Sequence, residues 1–519
     1  SILGTTATIM DGTQHDDSDA GRAFGPPEIL PTEIDCMGQE IGTGTFGKVL
    51  RGKCRGKDVA IKVLHKPIDD EKTLTSFKKE VEIMSTIFHP NICLFMGACT
   101  QRGNFFIVSE FLTGGDVEKL LHDPKVELSL YQRMLMAKDA ALGMNWLHCS
   151  NPNVIHRDLK TSNLLIDENG RVKVCDFGLS QLKTPGEDLK DGDSAKGTPL
   201  WMAPEVMQFR AFNEKSDVYS FGIVLWELLT RQEPFAHHND YQTFRYAVCK
   251  KGERPPMPKH VEPRLKSLIE RCWAAEPGER PSFSDILKEL DIILINVAIQ
   301  DTYGRLFWTQ KFLNSERLAE APWNKLAIEL LQFLGIPIPD PMDHKNPTVV
   351  NLKCLRALLV RKHKTSELVK QPETVNIHDF GRLLNWFGPI ASPDQFGHTF
   401  LDKISDTLRQ QWFHGDIDKE QAESQLSGKP AGQFLIRFSS IDGYFTLGQS
   451  TPDRTIRHQR IEHRPGAGYV IGNHEYESLE DLVIGEGLTQ PCQGSMYQSI
   501  FQEKNFGYVD HMPAAARHR

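Results

Sequence analysis

Hydrophobic and polar positions change period several times along this chain. Residues 49–51 and 59–64 read as strands around a glycine turn, and RVKVC at 171–175 reads as a further short strand. In SDVYSFGIVLWELLT the apolar run spans about ten residues, too short for a bilayer, and predicts a buried central helix. Residues 291–410 carry WNKLAIELLQFLGI, NLKCLRALLVRK and DFGRLLNWFG, which predict about three amphipathic helices separated by PIPDP and ASPDQFG turns. That stretch is too apolar for a flexible linker. FLIRFS alternates, so Ile436 is buried while Arg437 points the other way from a central strand. Between Asp176 and Glu205 the chain shows no hydrophobic periodicity and reads as a mobile segment, and residues 1–34, rich in Thr, Asp and Gly, read as a loose arm.

Composition narrows the classes. At 519 residues the chain has room for more than one domain. A formal charge of −8 and a pI near 6.2 argue against a general nucleic-acid or polybasic membrane binder. Ten cysteines without a CxxC pair suit a reducing cytosol. No cationic stretch followed by a long apolar one marks a signal peptide, and because the chain starts at Ser1, targeting information outside it stays open.

The chemistry lies in ordered motifs. IGTGTFGKV supplies Gly42, Gly44 and Gly47, whose backbone can approach a phosphate, and Val49, which can cover a base. Lys62 follows in VAIK and Glu80 in KKEVEIM. Then come His156, Arg157, Asp158, Leu159, Lys160 and Asn163, the triplet Asp176, Phe177 and Gly178, and finally Ala203, Pro204 and Glu205. Singly each is a routine loop feature; in this order they resemble the protein-kinase signature set over residues 35–290. The resemblance implies that Asp158 orients the attacking hydroxyl, that Asn163 and Asp176 ligate Mg2+, with Mn2+ as a substitute, and that Lys62, held by Glu80, pairs with the ATP phosphates. Ile41, Val49, Ala60 and Leu165 would enclose adenine, and Ser109, Glu110 and Leu112 would form the gatekeeper and hinge, meeting it through backbone groups. Asp217 would tie down the catalytic loop, and Arg280 would clamp Glu205.

Lys160 and Thr198 match serine/threonine kinases, whereas tyrosine kinases usually carry an alanine and arginine pattern near Lys160. NICLFMGAC, HRDLKTSNLL and GTPLWMAPEVM resemble the tyrosine-kinase-like group, which keeps dual specificity open. Thr184 and Ser194 are candidate activation-segment phosphosites, a solvent-facing hydroxyl being the equal alternative; Thr198 is assigned to substrate alignment. Cys175 reads as a buried inert thiol, with a reactive one as the minority reading.

From Trp412 the segments WFHGDIDKEQAESQL, GQFLIRFSS, IRHQRI, GYVI and SLEDLV resemble an SH2 domain. The resemblance makes Arg437 the bidentate phosphate ligand, with Lys419, Ser439, Ser440, His458 and Arg460 lining the phosphotyrosine pocket. Phe438 departs from the glutamate usual after that arginine, and Gln459 from a common aromatic residue. The second Asp-Phe-Gly, at 379–381, reads as a helix start or turn.

The expected fold is α+β multidomain: an N-terminal arm (1–34), a bilobal protein kinase fold (35–290), a helical connector (291–410), an SH2 domain with a central antiparallel sheet flanked by two helices (411–507) and a tail (508–519). Kinase first and SH2 last resembles the Shk kinases of social amoebae. That resemblance implies transfer of phosphate from Mg-ATP to protein serine or threonine, directed to tyrosine-phosphorylated proteins. The cysteine pattern and charge add a cytoplasmic setting and no nucleic-acid partner, with indirect recruitment to membranes through partners left open. A dual-specificity or tyrosine kinase, and a phosphotyrosine-dependent adaptor with a scaffolding kinase fold, are the alternatives.

Overall fold

The computed structural model describes residues 26–501 apart from 36–37, 44–46, 65–70, 102, 185–187, 191–195, 316–317, 361–372 and 392–398. Gly44, Ser194, most of the arm and the tail therefore lie outside the described residues. The chain divides into two compact units, one built on residues up to 287 and one on residues from 288 together with 129–135 and 260–265.

In the first unit a sheet runs in the order β1 (Ile34–Asp35), β3 (Gly47–Cys54), β4 (Lys57–Leu64), β6 (Phe106–Glu110) and β5 (Phe95–Cys99), with β2 (Glu40–Thr43) also paired to β3. Alternation along β4 sends Val59 and Ile61 into a core with Cys54, Cys99, Phe106 and Val108, which puts Ala60 and Lys62 on the opposite face. Helix α1 (Glu71–Thr86) buries Phe77, Val81 and Met84, and Glu80 shares that buried face at helical spacing. The remainder is mainly helical, centred on α2 (Lys215–Thr230), of which thirteen residues are buried, as its apolar run predicts. The segment expected to be featureless does hold structure: Gln181–Lys183 pairs antiparallel with Asn153–Ile155. Three residues are too few for periodicity to reveal.

The second unit joins the connector to the SH2 sheet. Five helices lie wholly within 291–410 among the described residues, against about three expected, and Phe283–Ala298 is continuous across residue 290. The additional ones are Thr302–Phe312 and Phe400–Arg409. The second Asp-Phe-Gly sits in the opening turns of α3 (Ile377–Phe387), capped by Asn376, in agreement with the reading as a helix start. Its Gly381 is needed because a Cβ there would lie 1.9 Å from the Ala298 carbonyl oxygen. In the SH2 sheet β7 (Gln433–Phe438) pairs antiparallel with Tyr444–Ser450, which pairs antiparallel with Ile456–Arg464. The short strands Phe413–Gly415 and Gln490–Pro491 join β7 in parallel, and helices Lys419–Leu426 and Leu479–Gly485 complete the domain. Among the described residues no helix is long and apolar enough to cross a membrane.

Candidate functional site: a phosphoryl-transfer centre and a phosphate-reading pocket

Lys62 projects from β4 between two carboxylates, with Nζ 2.7 Å from Glu80 Oε1 and 2.7 Å from Asp176 Oδ1. Burial works against its charge, yet Glu80 and Asp176 outweigh it and hold the ammonium protonated well beyond the usual lysine range. Burial raises the Glu80 pKa despite Lys62. For Asp176 burial pulls the same way, but the charge and hydrogen bond of Lys62 prevail and keep the carboxylate below its ordinary value. Asp176 adopts φ 63°, which turns its carboxylate toward Lys62 while Phe177 is buried against His156.

Both oxygens of Asp158 are engaged. Thr198 donates its hydroxyl (2.6 Å) and its backbone N–H (3.0 Å) to Oδ1, while the Asn163 side chain donates to Oδ2 (3.1 Å) and to the Asp158 carbonyl (2.7 Å). Lys160 Nζ donates to the Thr198 hydroxyl at 2.8 Å and lies 3.5 Å from Asp158 Oδ2. With its amide N–H groups turned to Asp158, Asn163 presents Oδ1 as a hard acceptor, and Asp176 keeps Oδ2 beside its Lys62-bonded Oδ1. The donor set fits a magnesium-bound nucleotide.

Asp217, fully buried on α2, accepts from the backbone N–H groups of His156 and Arg157, both at 2.8 Å, and lies 2.9 Å from His148 Nε2. Burial opposes its ionisation, but the hydrogen bond and charge of His148 prevail and depress its pKa. Arg280 grips Glu205 through two bonds of 2.6 and 2.9 Å, both side chains buried. Sequence reasoning missed Glu227. It accepts from Trp201 Nε1 (2.6 Å) and the Thr161 hydroxyl (3.0 Å), joining the segment before Ala203 to the catalytic loop, and burial pushes its pKa to about 8. No spacing rule marks it, because its partners lie far apart in sequence.

The expected nucleotide residues are distributed unevenly. Leu112 and Leu165 pack with Cys93 and Cys175 in one apolar cluster, and burial raises the Cys175 thiol, in keeping with an inert cysteine. Val49 and Ala60 are half-buried and Ile41 exposed. A Cβ on Gly42 would meet nothing closer than 4.0 Å, whereas on Gly47 it would lie 2.3 Å from the Val63 carbonyl, so Gly47 serves strand packing. Ser109 and Glu110 end β6, with the Glu110 side chain turned to Lys173 at 2.7 Å. Thr184 is exposed.

In the second unit, cross-strand register aligns Arg437 with Thr446 and Thr446 with Arg460, while Gly448 aligns Leu435 with His458. Arg437, His458 and Arg460 therefore share a face of the sheet. Arg437 Nη1 donates to the Phe438 carbonyl at 3.1 Å, and its Nε is buried without a hydrogen-bond partner among the described residues, an orphan donor suited to an anion. Glu423, also missed, stands 3.1 Å from His458 Nε2 and 3.7 Å from Lys419 Nζ, spaced one helical turn from the lysine. Buried Ser439 accepts from the Ile441 N–H at its hydroxyl, and Ser440 is exposed. Phe438 points to the other face and stacks on Trp386 of α3 at 4.1 Å.

Fold and sites together define a protein kinase carrying an SH2 domain, with ATP as the phosphoryl donor that such a catalytic domain uses with Mg2+. Residues 36–290 match the family described as protein tyrosine and serine/threonine kinase, and residues 412–484 match the SH2 domain. The chain is 52% identical to dual specificity protein kinase shkC of Dictyostelium discoideum over 464 residues, covering 89% of this chain and 90% of that one. It is 46% identical to dual specificity protein kinase shkA of the same organism over 509 residues, 95% and 94% of the two chains. Serine/threonine-protein kinase CTR1 of Arabidopsis thaliana is 47% identical over 251 residues, which is 48% of this chain and 30% of that one. The chain belongs to the SH2-containing protein kinases of the Shk type, within the tyrosine-kinase-like group.

Proposed function

We propose that this kinase phosphorylates serine and threonine hydroxyls, accepts tyrosine as well, and is brought to tyrosine-phosphorylated proteins by the Arg437 pocket. The observation that carries the first part is the closed set of Asp158, Lys160 and Thr198. Asp158 Oδ2, which among the described residues accepts from the Asn163 amide and lies near Lys160, is the oxygen that receives the acceptor hydroxyl proton. Lys160 offsets charge at the transferring group, and Thr198 fixes the carboxylate and the platform beside it. Bound Mg-ATP supplies the phosphoryl group and the charge neutralisation that a loose transition state requires. Asn163 Oδ1 and Asp176 would hold the metal, Lys62 the α and β phosphates, and Leu165 with Val49 and Ala60 the adenine; Mn2+ would serve in place of Mg2+.

Acceptance of tyrosine is supported by the relatives of matching length, whose names describe dual specificity. For targeting, the support is the orphan Arg437 donor on a face shared with His458 and Arg460. The described cysteines are free, in keeping with work in the cytoplasm; recruitment to membranes would be indirect, through bound partners.

The test is transfer of radiolabelled γ-phosphate to a generic protein substrate, followed by acid hydrolysis, with Asp158→Asn as control. Phosphoserine and phosphothreonine accompanied by phosphotyrosine, all absent from the control, are expected. Phosphotyrosine as the main product would overturn the serine/threonine assignment. Label in the control equal to wild type would remove Asp158 from its role.

A further inference from the structure

Among residues that belong to neither phosphate site, His237, His238 and Glu253 bring their ligating atoms together in the first unit. Both imidazole Nε2 atoms approach the same carboxylate oxygen, His237 at 2.8 Å and His238 at 2.9 Å from Glu253 Oε1, and all three donors lie within 4.8 Å of one another. We propose that these residues form a binding site for Zn2+ or a similar borderline divalent transition metal, with two imidazole nitrogens, one carboxylate oxygen and a further position open to solvent.

The distances suit such an ion. Zinc takes nitrogen at about 2.0–2.1 Å and carboxylate oxygen at about 2.0–2.2 Å, which in a tetrahedron sets donors about 3.3 Å apart. Small outward movements from the present hydrogen-bonded spacing admit it. Two imidazoles with one carboxylate also match the preference of zinc for mixed nitrogen and oxygen ligands, whereas magnesium and calcium favour oxygen sets.

Two of the three ligands stand on fixed supports. The His238 N–H donates to the Phe235 carbonyl at 2.9 Å, and its ring is packed by buried Phe235 and Phe244. Glu253 follows Gly252, the left-handed cap of helix Tyr241–Lys251, and donates its backbone N–H to the Ala247 carbonyl at 3.0 Å. The Glu253 carbonyl in turn accepts from Arg254, whose Nε donates to the Trp273 carbonyl. His237, with 62% of its side chain exposed, supplies the adjustable ligand and leaves the outer side of the ion facing solvent. Without a metal, the two Nε2–H groups share one carboxylate oxygen, which has a lone pair for each. With a metal bound, each Nε2 offers its lone pair and the displaced proton moves to Nδ1 or to solvent.

The experiment uses tag-free full chain stripped with a chelator and titrated with Zn2+ against a chromophoric competitor. One equivalent is expected to bind. His237→Ala and Glu253→Gln should each weaken it by more than about tenfold, the lower range seen even for partners outside the ligand set. His237 is exposed and Glu253→Gln keeps the side-chain shape, so circular dichroism and melting should show both variants folded. Absence of uptake by the wild type, or equal affinity in wild type and both variants, would overturn the site.

Discussion

Thr198 and Glu227 show how different the demands on two polar side chains can be. Thr198 gives two hydrogen bonds to one oxygen of Asp158 and accepts a third from Lys160, so it holds the Asp158 carboxylate in place. Thr198→Ala is expected to lower kcat by about a hundredfold through misplacement of Asp158, with nucleotide affinity retained and Thr198→Ser restoring most of the rate. Steady-state kinetics with a nucleotide-binding assay checks this, and an unchanged kcat would refute it. Glu227 is governed by burial. Its folded-state pKa of about 8 exceeds the ordinary glutamate value of 4.5, so between those values the folded chain holds a proton that the unfolded chain has released. Its stabilising contribution is full below the lower value and is lost as pH rises through the upper one. Denaturation midpoints of Glu227→Gln should therefore fall less than those of wild type between pH 5 and 8; parallel curves would contradict the assignment. Thr198 was legible because its role fixes both residue type and place before the Ala203 triplet. Glu227 was not, since a glutamate in an apolar helix announces no partner until Trp201 and Thr161 are brought to it.

Helix α3 and strand β7 bear on each other through Phe438. It is 6% exposed, stacks on Trp386, and has Phe387, Phe413 and Phe445 around it at centroid distances of 5.2 to 6.2 Å. The departure from the usual glutamate thereby gains a physical reason: a carboxylate would be set among aromatic rings. Phe438→Ala should cost about 3–5 kcal/mol, and Phe438→Glu at least as much because it buries a charge. Chemical denaturation followed by tryptophan fluorescence measures both, and a loss below about 1 kcal/mol for either would show that the cluster is not part of the stable core. Alternation in FLIRFS already separated Ile436 from Arg437, so strand and facing were readable, although the helix covering Phe438 was not. The two uncounted connector helices differ in this respect. Phe400–Arg409 carries buried Phe400, Leu401, Ile404 and Leu408 behind a capping box of Thr399 and Asp402, a signal present in the sequence. Thr302–Phe312 is less amphipathic and buries Gly304 among its apolar residues, which hides its period.

Across the molecule, the connector and the SH2 domain form a single compact unit. The Trp386 indole donates to the Tyr444 carbonyl at 2.9 Å, Arg382 pairs with Asp442 at 2.7 Å, and His463 Nδ1 lies 2.7 Å from the Asn385 carbonyl. A fragment of residues 411–507 should expose the aromatic face and aggregate, whereas 299–507 should give a dispersed amide spectrum; a well-folded short fragment would refute the dependence. Burial lowers the His463 pKa to about 4 from its ordinary 6.5. Its contribution is present above the higher value and lost as pH falls through the lower one, because the unfolded imidazole takes up the proton first. Order of domains and both phosphate chemistries were legible, since the chemistry constrains residue type at fixed spacing. Fusion of the connector with the SH2 sheet was not, because apolar faces do not name their partners.

Strand β7 turns Arg437 to the face it shares with His458 and Arg460 and Phe438 to the helix, one after the other. Adding or deleting a single residue in its first half would exchange them, sending a guanidinium among the rings and a ring into the phosphate pocket. Descendants of this sequence are thus free to alter peptide taste in the surrounding loops, but the length of that strand is closed to insertion and deletion.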